Sequence, residues 1–208
     1  MIPVIVKLAP KNTPCRPAYP MTPRYVTIHE TGNTSKNSGA MSHANFLQGG
    51  GKNREVSWHY VVDDKNIIQC LPDNENAWHC GDGRNGIGNR QSLAIEICIN
   101  PESDLYTAVD NAITLTANLM KKYNIPIENL KQHFDWSAKN CPMNIRKGKP
   151  ITWGQFRDRV KERMTPPQEK KIMYRVQVGA FADKQNAVNY VKELKNKGIS
   201  AFIIESEV

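Results

Sequence analysis

The stretch Ser92-Leu93-Ala94-Ile95-Glu96-Ile97-Cys98-Ile99 constrains the fold more than any other part of this chain. It is nearly continuous apolar sequence with β-branched side chains, the composition of a strand buried on both faces. Such a strand needs a sheet with other elements packed on each side. Glu96 stands out within it. A carboxylate in the middle of a buried strand is costly unless it faces a polar site, so Glu96 marks where such a site lies.

The remaining sequence supplies the sheet and its cover. Arg24 to Ile28 reads as a strand. Trp58 to Val62 and Asn66 to Leu71 read as a hairpin turned at Asp63-Asp64-Lys65. Asn129 to His133 reads as a short strand running into a loop. Helices are expected at Asn37 to Leu47, with Ala40, Ala44 and Leu47 on one face, and at Tyr106 to Asn124. The second has the apolar stripe Val109, Ile113, Leu115, Thr116, Leu119 and Met120, Asp104 as its cap and Pro126 beyond its end. A last helix spans Thr152 to Met164, with Thr152 as cap and Phe156 and Val160 inward. Ile2 to Pro23, rich in proline, is an extended lead-in with a strand at most. The expected fold class is α/β, a mixed central β-sheet flanked by helices, with a small C-terminal β-α-β segment.

That segment follows a change in composition. Residues 1–164 form the expected main domain, 165–171 a proline- and lysine-bearing linker, and 172–208 a tail. In the tail Ile172 to Phe181 alternates like a strand and Lys184 to Lys197 is an amphipathic helix closed by Gly198. Its apolar side holds Ala187, Val188, Val191 and Leu194, and Ser200 to Ile204 reads as a second strand.

His29 ends the apolar stretch Tyr25-Val26-Thr27-Ile28, and His133 and Cys141 share one later segment. Three N and S ligands leave the fourth tetrahedral position open for water, the arrangement of a catalytic zinc site. The bland alternative for His29 is a satisfied histidine at a strand end. The chemical alternative is a Cys141 thiol with His133 as its base, a cysteine peptidase, which leaves His29 without a task. Glu96 is expected to face the site, with burial raising its pKa toward neutrality, and its bland alternatives are a strand-edge carboxylate or a partner for Arg90. Lys139, two residues before Cys141, can aim its ammonium at the same pocket. His59 and His79 are candidates for supporting or substrate-contacting roles, and His43 reads as solvated. Gly81-Asp82-Gly83-Arg84-Asn85-Gly86 matches a dinucleotide-binding glycine pattern, but it leads toward the strand at Ser92 rather than into a helix, so no nicotinamide cofactor is expected.

The chain of 208 residues carries 28 basic and 20 acidic side chains, a net charge of +8, which suits an anionic polymer. No nucleic-acid-binding signature accompanies that charge. No apolar run approaches the roughly 20 residues needed to cross a bilayer, and the N-terminus lacks the pattern of a signal peptide. The five cysteines include no C-x-x-C pair, so a reduced protein made in the cytosol is expected, with Cys70 and Cys98 as buried hydrophobes.

From Arg24 to Pro142 the chain resembles the zinc-dependent N-acetylmuramoyl-L-alanine amidases of the phage lysozyme and peptidoglycan-recognition superfamily, the type 2 amidases. The resemblance rests on His29-Glu30-Thr31-Gly32-Asn33, Ser57-Trp58-His59-Tyr60-Val61-Val62-Asp63, Ala77-Trp78-His79-Cys80-Gly81-Asp82-Gly83, Ile95-Glu96-Ile97-Cys98 and the segment His133 to Cys141. It implies zinc (Zn2+) held by His29, His133 and Cys141, Glu96 as general base and Lys139 as stabiliser of the oxyanion. It further implies cleavage of the bond between N-acetylmuramic acid and L-alanine in peptidoglycan, and the net charge of +8 adds anionic wall polymers as expected partners. His79 and Trp58 are assigned to the substrate; in some phage members a tyrosine stands where this chain has Trp58. Val176-Gln177-Val178-Gly179-Ala180-Phe181 resembles the start of a SPOR-type peptidoglycan-binding repeat, of which the tail holds one β-α-β half. The resemblance implies an endolysin or autolysin that acts on the wall after release or lysis. The alternatives are a non-catalytic peptidoglycan-binding module and the cysteine peptidase.

Overall fold

A computed structural model of the protein describes residues 2–165, 174 and 176–206. The chain divides into two compact units, Met1–Pro166 and Pro167–Val208. In the first, six strands form one sheet: β1 (Val4–Val6), β2 (Tyr25–Glu30), β3 (Tyr60–Val62), β4 (Ile67–Gln69), β5 (Ser92–Ile97) and β6 (Leu130–Gln132). Their order is β1-β4-β3-β5-β2-β6, parallel throughout except for the β3–β4 hairpin. Asp63 makes that hairpin's turn, its Oδ1 accepting from the backbone N–H groups of Lys65 and Asn66 at 2.9 and 2.7 Å.

The apolar run at β5 sits near the middle of this sheet, and its alternation sorts side chains between two cores. Leu93, Ile95 and Ile97 join Val26, Ile28 and Val62 beneath helices α3 (Leu105–Lys122) and α6 (Trp153–Met164), where Ile113, Met120 and Phe156 are fully buried. Each such side chain contributes about 1.5–3 kcal/mol on burial, so this face holds most of the unit's stability. Ala94 and Cys98 face the other way, with Val61 and Ile68 against helix α1 (Ala40–Gln48), which buries Ala40, Ala44 and Leu47 as its spacing predicts. Helix α1 covers only part of that second face. The C-terminal ends of β2 and β5 remain open beside it, the usual place for a ligand on a parallel sheet.

The helix caps follow the sequence closely. Asp104 accepts from Thr107 N at 2.6 Å, and Thr152 with Gln155 forms a capping box. Three short helices went unread in the sequence: α2 (Ile87–Gln91), α4 (Phe134–Ser137) and α5 (Met143–Arg146). The glycine-rich loop 81–86 therefore enters a short helix before β5, a correction to the expected direct passage into the strand. That helix is five residues long and no strand leads directly into the loop, β4 ending at Gln69, so the dinucleotide pattern still lacks its context.

In the second unit, helix α7 (Lys184–Asn196) begins at Asp183, whose carboxylate accepts from Asn186 N at 3.0 Å, and ends at Gly198 with φ 76°. The two strands expected around it are corrected. Residues 176–181 and 199–206 have no strand ladder, while Ile172, Met173 and Arg175 lie outside the described residues. The physical reason is a missing neighbour. In a split β-α-β layout the strand of a second half lies between these two, and no such strand is among the described residues. The extended segments keep their apolar side chains exposed, Val176 at 86% and Phe202 at 76%. The linker residues 166–171 also lie outside the described residues.

Candidate active site

The site begins with the register between β2 and β5. His29 pairs with Glu96, so the two side chains stand side by side on the partly open face, while their neighbours Ile28 and Ile95 fill the core beneath. The parallel pairing of β6 with β2 then delivers His133 just past Gln132, with His133 N donating to Ile28 O at 3.3 Å. Cys141 arrives on the return from α4. Ala138 ends that helix in the left-handed conformation, and Phe134 N donates to Cys141 O at 3.1 Å, folding the loop back.

Glu30 anchors the far side of this loop. Its buried carboxylate accepts from Asn144 N at 2.9 Å and Ile145 N at 3.2 Å, at the start of α5, and Glu30 N contacts Cys141 Sγ at 3.4 Å. Burial raises the Glu30 pKa, and the backbone N–H groups of α5 oppose that rise. Trp136 fixes α4 from beneath, its indole N–H donating to Thr27 Oγ1 at 2.9 Å.

These elements bring three ligating atoms together. His29 Nδ1 and His133 Nδ1 are 3.0 Å apart, Cys141 Sγ is 4.0 Å from His29 Nδ1, and His29, His133 and Cys141 can all offer atoms within 4.8 Å of one another. The set fits a divalent metal of borderline softness. Both imidazoles are held neutral, as ligands must be: burial pushes His29 well below its usual range, and burial with the nearby Lys139 ammonium takes His133 down to about 4. Burial first, and then the Glu96 charge, pushes the Cys141 thiol up to about 12, so its thiolate needs a cation beside it.

Glu96 is half-buried beside this set, and its Oε2 is shielded from solvent with no hydrogen-bond partner among the described residues. Desolvation raises its pKa to about 7, Lys139 pulls it down and Glu30 pushes it up. Lys139 lines the same groove. Arg90, the bland partner weighed for Glu96, instead lies over the Tyr19 ring at 4.6 Å.

The groove has a volume of about 870 Å³ and runs from His29, Glu96, Lys139 and Cys141 past Trp78 and Trp58 to Phe46 and Arg54. Trp58 is 7% exposed and stacks on Phe46 at 6.3 Å, forming part of the wall. His43 corrects the sequence expectation of a solvated side chain. It packs edge-on against Trp58 at 5.9 Å on the groove side of α1, and its Nε2 is buried without a partner among the described residues.

The two other histidines separate. His59 Nδ1 accepts from Ala94 N at 2.9 Å and its Nε2 donates to Glu75 O at 2.8 Å, so it is a satisfied structural group inside the sheet. His79 lies at the groove, with Nδ1 2.9 Å from His29 Nε2 and 3.1 Å from Cys80 Sγ. The backbone there is held by Asn89, whose Oδ1 accepts from His79 N and Cys80 N at 2.8 Å each. Gly88 lets α2 approach this closely. A Cβ at that position would lie 2.6 Å from Cys80 Sγ and 2.8 Å from the Trp136 ring.

Known proteins resemble this chain in sequence and fold. The N-acetylmuramoyl-L-alanine amidase family matches residues 19–144, and the SPOR domain family matches residues 155–207. The N-acetylmuramoyl-L-alanine amidase CwlH of Bacillus subtilis is 40% identical over 181 residues, covering 87% of this chain and 70% of that protein. The amidase XlyA of the same organism is 43% identical over 157 residues, and the chain spans half the length of that relative. The solved catalytic domain of XlyA superposes with a TM-score of 0.71 at 42% identity, covering 76% of this chain and 99% of that domain. No described helix is long and apolar enough to cross a membrane.

Proposed function

The chain belongs to the N-acetylmuramoyl-L-alanine amidase family, and from that premise we propose that it hydrolyses the amide between N-acetylmuramic acid and L-alanine in peptidoglycan with zinc at His29, His133 and Cys141. The observation that supports this most is the convergence of two imidazoles and one thiol, whose ligand atoms lie within 4.8 Å of one another, next to the half-buried Glu96 carboxylate at the foot of an open groove. When bound there, zinc supplies Lewis-acid activation of water and of the scissile carbonyl.

The protein's own groups do the rest. His29 and His133 stay neutral through burial and keep their Nδ1 lone pairs directed inward. Glu96 takes a proton from the attacking water. Its pKa near 7 places it where a base is both substantially ionised and basic enough at neutral pH, and the unpartnered Oε2 is the atom free to accept. The same carboxyl can then return the proton to the leaving amine. Lys139, whose charge already acts on Glu96 and His133, faces the carbonyl oxygen as negative charge develops on it. Trp78, Trp58 and Phe46 give the groove walls on which a glycan or peptide stem can pack.

The cysteine-peptidase reading loses support at this site. A nucleophilic thiol needs a lowered pKa, and Cys141 is pushed the other way. The SPOR match supports peptidoglycan as the partner of the second unit. The test is digestion of purified cell walls by the zinc-loaded protein with analysis of the products. Release of L-alanine amino groups without new reducing sugars is expected. Reducing sugars, or lysis that survives complete metal removal and stops on thiol alkylation, would overturn the reading.

A further inference from the structure

His79 is the group at the site that this reaction leaves idle, and its surroundings are specific. The ring is buried, at 9% exposure, and is set edge-on to His29 at 78° with their centroids 5.0 Å apart. His29 turns Nδ1 toward His133 and Cys141 and Nε2 toward His79 Nδ1, 2.9 Å away. A ring that ligates through Nδ1 must be unprotonated there, so a neutral His29 carries its proton on Nε2. That N–H then points at His79 Nδ1, which has to accept it.

The mounting is rigid as well. Asn89 Oδ1 holds the backbone of His79 and Cys80, and Asp82 holds α2 through Gly88 N at 2.7 Å and Asn89 N at 3.2 Å. A side chain that merely lined the groove would need none of this.

We propose that His79 is a positioning residue for the metal centre: it accepts the Nε2 proton of His29 and so fixes that ring as an Nδ1 ligand. The inference rests on the reading of His29 as a metal ligand. It assigns a neutral imidazole to the outer position that a carboxylate or backbone carbonyl often fills behind a metal-bound histidine. It also competes with a different arrangement, because His29, His79 and Cys80 can themselves offer ligand atoms within 4.8 Å of one another. The two schemes demand opposite tautomers of His29.

The experiment measures zinc affinity of the full chain by chelator competition, together with the metal-free thermal midpoint and the His29 tautomer by nitrogen-15 NMR. His79→Leu removes the acceptor and should weaken zinc by about 10- to 100-fold. His79→Asn places an amide oxygen near the position of Nδ1 and should recover most of that loss. Cys80→Ser should bind zinc like the wild type, and wild-type His29 should be protonated at Nε2. Zinc affinity of His79→Leu within about twofold of wild type would overturn the inference, as would an Asn variant as weak as Leu. A large loss in Cys80→Ser would assign the metal to the other cluster. Failure of the wild type to bind zinc at all would instead overturn the reading of His29 as a ligand.

Discussion

Replacing Glu96 by glutamine should make the protein more stable and nearly inactive at once. The carboxylate is half-buried with its Oε2 shielded from solvent, and its pKa is raised from 4.5 to about 7, mainly by desolvation. A rise of that size means the ionised form costs the fold about 3 kcal/mol once both folded and unfolded states are ionised. The sign follows from the direction of the shift. The folded state holds its proton more tightly than the unfolded chain, so the cost is absent below pH 4.5, grows between the two pKa values, and is complete above about 7. Glutamine keeps the shape and never ionises. Metal-free Glu96→Gln should therefore match the wild type near pH 4 and exceed it by about 2–3 kcal/mol at pH 8. Activity should fall roughly 10²- to 10⁴-fold with zinc still bound, the loss expected for removing a general base. In the wild type, turnover should fall as pH drops through the Glu96 pKa, at or below 7, since a bound cation adds to the lowering effect of Lys139. Urea unfolding at the two pH values beside kcat and zinc content checks all of this. A Gln variant with near-normal kcat, or with no stability gain at pH 8, would refute the reasoning.

Three further outcomes follow from the same geometry. Lys139→Ala should retain zinc, lose mainly kcat, and move the acid limb of the pH profile upward, because Lys139 lowers the Glu96 pKa; an unchanged limb in the pH–rate curve would count against that contact. Glu30→Ala removes the acceptor of the Asn144 and Ile145 N–H groups and should cost about 1–3 kcal/mol in denaturant unfolding, with weaker zinc binding as the Cys141 loop loosens. A protein ending at Thr165 should keep its activity on soluble wall fragments, since every proposed catalytic group lies between His29 and Cys141, and should lose more on intact walls. Equal loss on both substrates by a folded truncation would refute that division.

What the sequence disclosed, and what it hid, has a physical pattern. β5 was legible from its nearly continuous apolar run, and α3 and α6 because their apolar periodicity matches the faces they bury, with Asp104 and Thr152 announcing the helix starts. The convergence of His29, His133 and Cys141 was anticipated from their local settings, and the register of β2 with β5 puts Glu96 beside them. Helices α2, α4 and α5 escaped because at four or five residues they have no period to read. Instead, side chains distant in sequence hold them: Trp136 on Thr27, and Glu30 on the start of α5. His43 was read as solvated because nothing in α1 signals that Trp58 packs against it. The tail strands show the opposite failure. Residues 176–181 alternate well, yet a strand also needs a ladder partner, which no periodicity supplies.

The most direct test of the central claim is X-ray absorption at the zinc edge on the zinc-loaded protein. One zinc per chain should show two imidazole nitrogens at ~2.0–2.1 Å and one sulfur at ~2.3 Å, with the sulfur scatterer lost in Cys141→Ser and retained in Cys80→Ser. No bound zinc, or a sulfur contribution that disappears with Cys80 and survives the change at Cys141, would contradict the account.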